Sequence, residues 1–377
     1  MAVHVQGSRT KRNTGLDFVR CIAIGLVLLA HGTQLVKGHL PDLPRRLVLY
    51  LGGYLGVELF FVLSGFLIGT ILMGLFNAYP GQPPWRALVT FWQRRWWRTL
   101  PTYFLALVLS LTLFSLWFDS SPFDWRHFFF VQNIAHADFT LMPETWSISV
   151  EEWFYLTLPL ALSGIVGFSS PSRSQRDTLL IGLLTYLVLF TALRWGWVLT
   201  QDPHWDKGVR KTVLWRLDAI AWGCLMAWLA YYHTAWLVRQ RARLAMVGGA
   251  LAFAGTLWLT YALIHESFSV WLKGAMFTLV SAGLAMCLPA VAANGQRLLP
   301  ARWLRTSVTH VSLVSYSLYL FHRSAVIPFM QQPWIAQHLS GWVAFAAYIM
   351  LSLLLATLVY YAFERPMTHQ RERFSAR

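Results

Sequence analysis

Residues 50–76 read YLGGYLGVELFFVLSGFLIGTILMGLF, and Glu58 is the one charged side chain in the run. A bilayer's hydrocarbon core takes roughly 20 apolar helical residues to cross, and this stretch exceeds that. Working outward, comparable apolar windows recur at approximately 16–36, 99–118, 146–168, 178–199, 211–232, 244–264, 270–291, 308–328 and 341–363. The expectation is an all-α integral membrane protein, a bundle of about ten transmembrane helices. Residues 16–364 would form one transmembrane domain, flanked by an N-terminal tail (1–15) and a basic C-terminal tail (365–377). No tandem repeat or long linker divides the chain.

Composition agrees with this reading. Of 377 residues, 56% are apolar and only 12% charged, about half the charged share of a soluble domain. The net charge of +15 raises the question of nucleic acid. Position argues against it, because the Lys and Arg residues lie mostly in short connections rather than on one amphipathic face. They cluster on alternate connections, as at Arg94, Arg95 and Arg98, at Arg239, Arg241 and Arg243, and at Arg297, Arg302 and Arg305. Cytoplasmic loops gather such residues, so both termini are expected in the cytoplasm, facing anionic lipid. An even number of spans requires the same. Cys21, Cys224 and Cys287 each fall in an apolar run, so no disulfide framework is indicated. The first run holds Arg20 and His31 and lacks a small-residue cleavage site, which reads as a retained span.

Ionisable groups inside spans are costly and mark function by default. Arg20 and His31 share one helical face, about 16 Å apart along the axis, with Arg20 toward the cytoplasm. Counted from the span ends, His31, Glu58, Glu151, Glu152, Arg194, Arg216, Asp218, His322 and Arg323 fall at one depth in the outer third of the bilayer. Such a layer would line a polar cavity in which carboxylates pair with imidazoles and guanidinium groups. Simpler roles stand beside that one. The arginines reach an interface by snorkelling, acids near a helix start cap it, and a bundle histidine hydrogen-bonds between helices. No HExxH-like spacing points to a metal. On the cytoplasmic side, Phe91 to Leu100 reads FWQRRWWRTL. Its arginines and aromatics suit either phosphates and a base or an interfacial anchor.

Together these residues resemble the membrane acyltransferase family 3, over nearly the whole chain. Leu16-Asp17-Phe18-Val19-Arg20 followed by His31 is similar to the family's opening motif, and Gly56 through Phe66 to its second-helix signature. Arg94-Arg95 through Pro101 resembles its Arg-rich segment, and Trp146-Ser147-Ile148-Ser149-Val150-Glu151-Glu152 its fourth-helix motif. Arg216-Leu217-Asp218-Ala219 with Gly223, Ser315 through Tyr319 with His322, and Glu364 with Pro366 complete the order. Two positions depart: Trp153 stands where glutamine is frequent, and Arg323 follows His322 where an apolar or small residue is commoner. The extra esterase-like domain of some members is not expected after the tenth span.

The resemblance implies an O-acyltransferase of the bacterial inner membrane, multi-pass. It would use cytoplasmic acyl-CoA, with acetyl as the default acyl group, and an acceptor hydroxyl on a surface carbohydrate or small molecule. Acyl-CoA is then a co-substrate, with no bound cofactor, no metal and no nucleic acid among the partners. His31 would be the general base or the acyl carrier, with Glu58, Glu151 or Glu152 orienting it. Arg20, Arg94, Arg95 and Arg98 would hold the CoA phosphates. Trp146, Arg216, Asp218, Tyr316 and His322 complete the expected binding set. Ser64 either stabilises an oxyanion or packs helices beside Gly65. The competing class is a proton-coupled transporter, since buried acids, His and Arg also mark ion pathways.

Overall fold

Three of the long helices begin at a side-chain cap. In a computed structural model, which describes residues 12–118, 123–137, 141–170, 172–370 and 372, Asn13 opens the first helix by accepting from the Gly15 and Leu16 amides. Ser174 and Ser269 open two others in the same way, and each side-chain oxygen satisfies an amide that the first turn leaves free. The described residues form ten long helices: α1 (Thr14–Gly32), α2 (Gly53–Asn77), α3 (Trp85–Phe118), α4 (Trp146–Phe168), α5 (Gln175–Gln201), α6 (Leu217–Tyr232), α7 (Thr234–His265), α8 (Val270–Leu298), α9 (Arg302–Phe321) and α10 (Gly341–Val359). The described residues contain no strand, only an isolated bridge between Lys37 and Leu40. Every apolar window expected from the sequence overlies one of these helices. Of the two expected tails, residues 1–11 and most of those after Gln370 lie outside the described residues, while Arg365–Gln370 is helical.

Seven of the helices are long and apolar enough to cross a membrane. The three that fall short by length or composition are α4, α6 and α9. At 16 residues, α6 rises only about 24 Å. Glu151 and Glu152 make α4 less apolar, and α9 carries a basic and hydroxyl-rich face. The shortfall has a physical reason: these three turn much of their surface toward other helices, so lipid does not dictate their composition. On the lipid side the pattern reverses. Val343, Met350, Leu354 and Leu358 along α10 are each more than half exposed, as are Val188 on α5 and Phe253 on α7.

The centre is built by close backbone approach. Gly65 on α2 and Gly223 on α6 face each other, and a Cβ at Gly65 would stand 1.9 Å from the Ile220 carbonyl oxygen. Only glycine permits that crossing. Prolines sit inside α3 (Pro101), α4 (Pro159) and α8 (Pro289), and the Tyr155 carbonyl that Pro159 leaves free accepts from Trp92 Nε1 at 2.9 Å. α1 packs against α2, α8 and α9, and α9 against α10. Past Phe321 the α9 axis continues as a wider π turn, His322–Val326, and α10 does the same at Tyr360–Glu364. Such turns shift side chains out of ordinary helical register.

Candidate active site

One face of α9 organises the polar interior. Ser312, Tyr316, Tyr319 and Arg323 recur at steps of four, three and four, so they line one stripe of the helix. α1 lies against that stripe, which brings Asp17 and Arg20 to its start and His31 to its end.

At the start, Ser312 Oγ donates to Asp17 Oδ1 at 2.7 Å and accepts from Arg20 Nη1 at 3.1 Å. Arg12 binds Asp17 at 2.7 Å, while Arg20 stands 3.6 Å from it. Asp17 therefore faces two guanidinium groups, Arg12 and Arg20. These groups open into a cavity of about 580 Å³, also lined by Arg98, Arg365, Glu364 and His369. Arg94 does not line this cavity and is exposed on α3.

One level further along, Glu151 accepts from Ser64 Oγ at 3.2 Å and from the Tyr155 hydroxyl at 2.5 Å. Glu152 accepts from Thr99 Oγ1 at 3.1 Å, and Tyr316 donates to the Thr99 carbonyl at 2.9 Å. The Arg95 guanidinium lies over the Tyr155 ring at 4.1 Å. These carboxylates were expected beside His31. They sit instead with the arginine segment, because one helical turn or more of α4 separates them from Ser147, which meets Tyr319 near the far end at 2.6 Å.

At that far end, His31 Nδ1 and His322 Nε2 are 2.7 Å apart, with nearly parallel rings. His322 Nδ1 lies 3.0 Å from the Leu318 carbonyl oxygen, which can only accept, so Nδ1 carries the proton. Neutral His322 then presents a lone pair at Nε2, and His31 must donate from Nδ1. That leaves His31 Nε2 unprotonated, where it accepts from Arg323 Nη1 at 3.2 Å. The partners assign both tautomers. Among the described residues no carboxylate hydrogen-bonds to His31; the imidazole of His322 holds its Nδ1.

Glu58, Arg216 and Asp218 form a separate knot among α2, α5, α6 and α8. Glu58 pairs with Arg216 and accepts from Ser281 at 2.6 Å. Asp218 pairs with Arg194 at 2.6 Å, and Arg194 also binds Thr278 and the Gly274 carbonyl. Both arginines are 0% exposed, so neither snorkels to an interface. Its ion pairs close within the knot and do not include His31, while Arg216 Nε and Nη1 and Asp218 Oδ1 are buried without a hydrogen-bond partner among the described residues. Trp146, expected in the binding set, is buried under the Arg210 guanidinium at 5.4 Å.

Sequence reasoning passed over Glu144, Arg210, Lys211 and Ser312 as site residues. Glu144 is buried where the chain enters α4, and its Oε2 is 4.0 Å from Arg323 Nε. Burial, offset in part by Arg323, raises its carboxyl to about 7. Arg210 and Lys211 lie in the connection before α6, each 2.6 Å from Asp206. Only the polar period of α9 carried a signal for Ser312. The other three lie in connections, where helical spacing says nothing. Among the described residues no group of His, Cys, Asp and Glu is arranged to hold a metal ion.

The chain is similar in sequence to a known family and to curated proteins. The family described as the acyltransferase domain matches residues 13–361. O-acetyltransferase OatA of Staphylococcus aureus (strain NCTC 8325 / PS 47) is 24% identical over 94% of this chain and 57% of its own length. YrhL of Bacillus subtilis (strain 168), provisionally named a peptidoglycan O-acetyltransferase, is 26% identical over 86% of this chain and 52% of its own. The chain thus spans a little over half the length of the curated relatives it matches. No solved structure matches it.

Proposed function

The chain belongs to this acyltransferase family, and on that premise we propose that it is a membrane-embedded O-acyltransferase. It moves an acyl group, acetyl by default, from cytoplasmic acyl-CoA to a hydroxyl of a carbohydrate at the outer face of a bacterial inner membrane. The observation that carries this reading is the continuous polar stripe of α1 and α9, which joins a basic cavity to an unprotonated imidazole nitrogen. Arg20 and His31 are eleven residues apart on α1, roughly 16 Å of helix. An extended pantetheine arm covers about 15–20 Å, so phosphates held at Arg12, Arg20, Arg98 and Arg365 place a thioester near His31.

The chemistry then balances at one atom. His31 Nε2 takes the proton of the acceptor hydroxyl as its oxygen attacks the thioester carbonyl. The C–S bond breaks, and the leaving thiolate recovers that proton. His322 accepts from His31 Nδ1 throughout and so fixes which nitrogen faces the substrate. Ser64, whose hydroxyl is held by Glu151, and Tyr316 lie between donor cavity and base as groups to guide the acyl arm.

In this reading all ten helices cross the bilayer and both termini are cytoplasmic. Loop contacts support it. The α2–α3 connection meets α5's start through Gly81 and Gln175 at 3.0 Å, and Arg46 before α2 meets Glu266 after α7 at 2.7 Å, as alternate crossing requires. The decisive test incubates membranes holding the chain, or its His31→Ala variant, with labelled acetyl-CoA and surface glycans, peptidoglycan first. Label moving to the glycan with the parent chain and not the variant is expected. Proton-driven flux without thioester consumption would instead establish a transporter.

A further inference from the structure

The atom that must take the acceptor's proton is already covered. Arg323 Nη1 occupies the His31 Nε2 lone pair, so no hydroxyl reaches that nitrogen until the guanidinium moves. Arg323 is free to do so: its side chain is 30% exposed, and its Nε stands 4.0 Å from Glu144, beyond hydrogen-bond length. It is also not alone. The Arg210 guanidinium lies over the Trp146 ring at 5.4 Å, and the next residue, Ser147, meets Tyr319 at 2.6 Å, one helical turn before Arg323. Arg210 and Lys211 thus bring their charges toward His31 together with Arg323. Asn133 fastens their segment to the start of α4 by donating to the Lys211 carbonyl at 2.7 Å and to the Trp146 carbonyl at 3.0 Å.

The charge count around this opening is unbalanced. Arg210 and Lys211 share a single carboxylate, Asp206, and Arg210 Nη1 is buried without a hydrogen-bond partner. Among the described residues Glu144 is the one carboxyl within ion-pair distance of Arg323, and its burial holds it half protonated near neutral pH. Buried cations are normally paired, and a planar guanidinium fork matches a carboxylate or phosphate in particular. The field of Arg210 on Lys211, after burial itself, lowers the lysine to about 8, as expected where cations outnumber anions.

The geometry points to an anion subsite formed by Arg323, Arg210 and Lys211, which takes a carboxylate or phosphate on the substrate and draws Arg323 off His31 Nε2. This rests on the acyl-transfer reading. The base is thereby uncovered only when a substrate with the right charge is seated, and without it the thioester is shielded from water attack at His31. The anion belongs either to the acceptor, as on a uronic acid residue, or to a dicarboxylic acyl group such as succinyl on the donor.

The test uses the full chain purified in detergent, with Arg323→Gln and Arg323→Lys variants. Thermal stabilisation is measured with a glucuronate-containing tetrasaccharide, a neutral glucose tetrasaccharide, succinyl-CoA and acetyl-CoA, at equal ionic strength. The expected result is stronger binding of one probe carrying the extra carboxylate than of its partner without it, by about tenfold or more as a single charge-assisted pair provides. Arg323→Gln loses that preference and Arg323→Lys keeps part of it. The glycan pair responding assigns the anion to the acceptor; the CoA pair responding assigns it to the acyl group. In parallel, Arg323→Gln membranes should hydrolyse acyl-CoA faster than the parent chain when no acceptor is present. No charge preference in either pair, or one that survives Arg323→Gln, overturns the subsite. Because binding is read without transfer, an Arg323-dependent preference with no acyl transfer would leave the subsite standing and remove the enzymatic reading.

Discussion

In the proposed reaction His31 acts as a base only if its bare nitrogen faces the substrate, and three contacts decide where that nitrogen points. The Leu318 carbonyl sets the tautomer of His322, His322 sets that of His31, and Arg323 marks where the lone pair points. Replacing His31 by Ala should lower transfer at least ~100-fold while membrane insertion continues, as loss of a general base implies; glycan labelling and membrane fractionation check both. His322→Phe leaves His31 Nδ1–H without its acceptor and frees the ring to turn. Turnover should fall about 10- to 100-fold with the KM for acyl-CoA unchanged. Glu144 bears on stability in a direction whose sign can be worked out. Its folded pKa of about 7 lies above the ordinary 4.5, chiefly through burial. Between those values the folded state holds the proton and the unfolded state does not, so stability falls as pH rises, and the loss is complete above about 7. Glu144→Gln should remove that fall, a gain of up to ~3 kcal/mol at pH 8 relative to pH 4. Thermal melts of the two proteins across that range measure it.

At the scale of the element, α9 and α6 do opposite work. α9 turns serines, tyrosines and a histidine inward at helical spacing, and its continuation as a π turn lets both His322 and Arg323 address His31. α6 is short and is held by glycine contact with α2. Gly65→Leu has no room beside the Ile220 carbonyl, and overpacking of this kind costs about 1–3 kcal/mol or more. Detergent-stable yield should drop sharply, which size-exclusion profiles will show. The same helices carry the buried Glu58–Arg216 and Asp218–Arg194 pairs. Glu58→Ala leaves Arg216 buried and unpaired, at a cost of about 3–5 kcal/mol. The loss should therefore appear in folded yield and melting temperature before it appears in turnover per folded molecule.

For the whole molecule, the essential property is that the polar stripe runs from one end of the bundle toward the other while lipid-facing helices stay apolar. Arg20→Ala and Arg98→Ala should each raise the KM for acyl-CoA about tenfold or more, the worth of one charge-assisted hydrogen bond, with less effect at saturating donor. Kinetics over a range of acyl-CoA concentrations separate the two. Orientation is testable on a cysteine-free background. Gly81→Cys and Ser172→Cys should be protected from an impermeant thiol reagent in intact cells, and Lys37→Cys and Glu266→Cys labelled. The reverse pattern would place the arginine cavity on the wrong side for a cytoplasmic donor.

Much of this was legible without coordinates. Apolar windows overlay all ten long helices of the described residues. For seven of them lipid forces an unbroken apolar surface, while α4, α6 and α9 carry a weaker signal because other helices cover them. The order of motifs from Arg20 to Glu364 pointed to the family, and the α1 spacing placed Arg20 and His31 on one face. Depth counting was less informative. It put Glu58, Glu151 and Glu152 in one layer with His31, yet α4 holds its glutamates at the Arg95 level and Glu58 is consumed by Arg216 and Ser281. Distance along one helix can be read from a sequence, since the rise per residue is constant. Which side chains of different helices meet depends on rotation and stagger between helices, and these come from packing. The partnership of His31 with His322 and Arg323 is therefore a product of the tertiary structure.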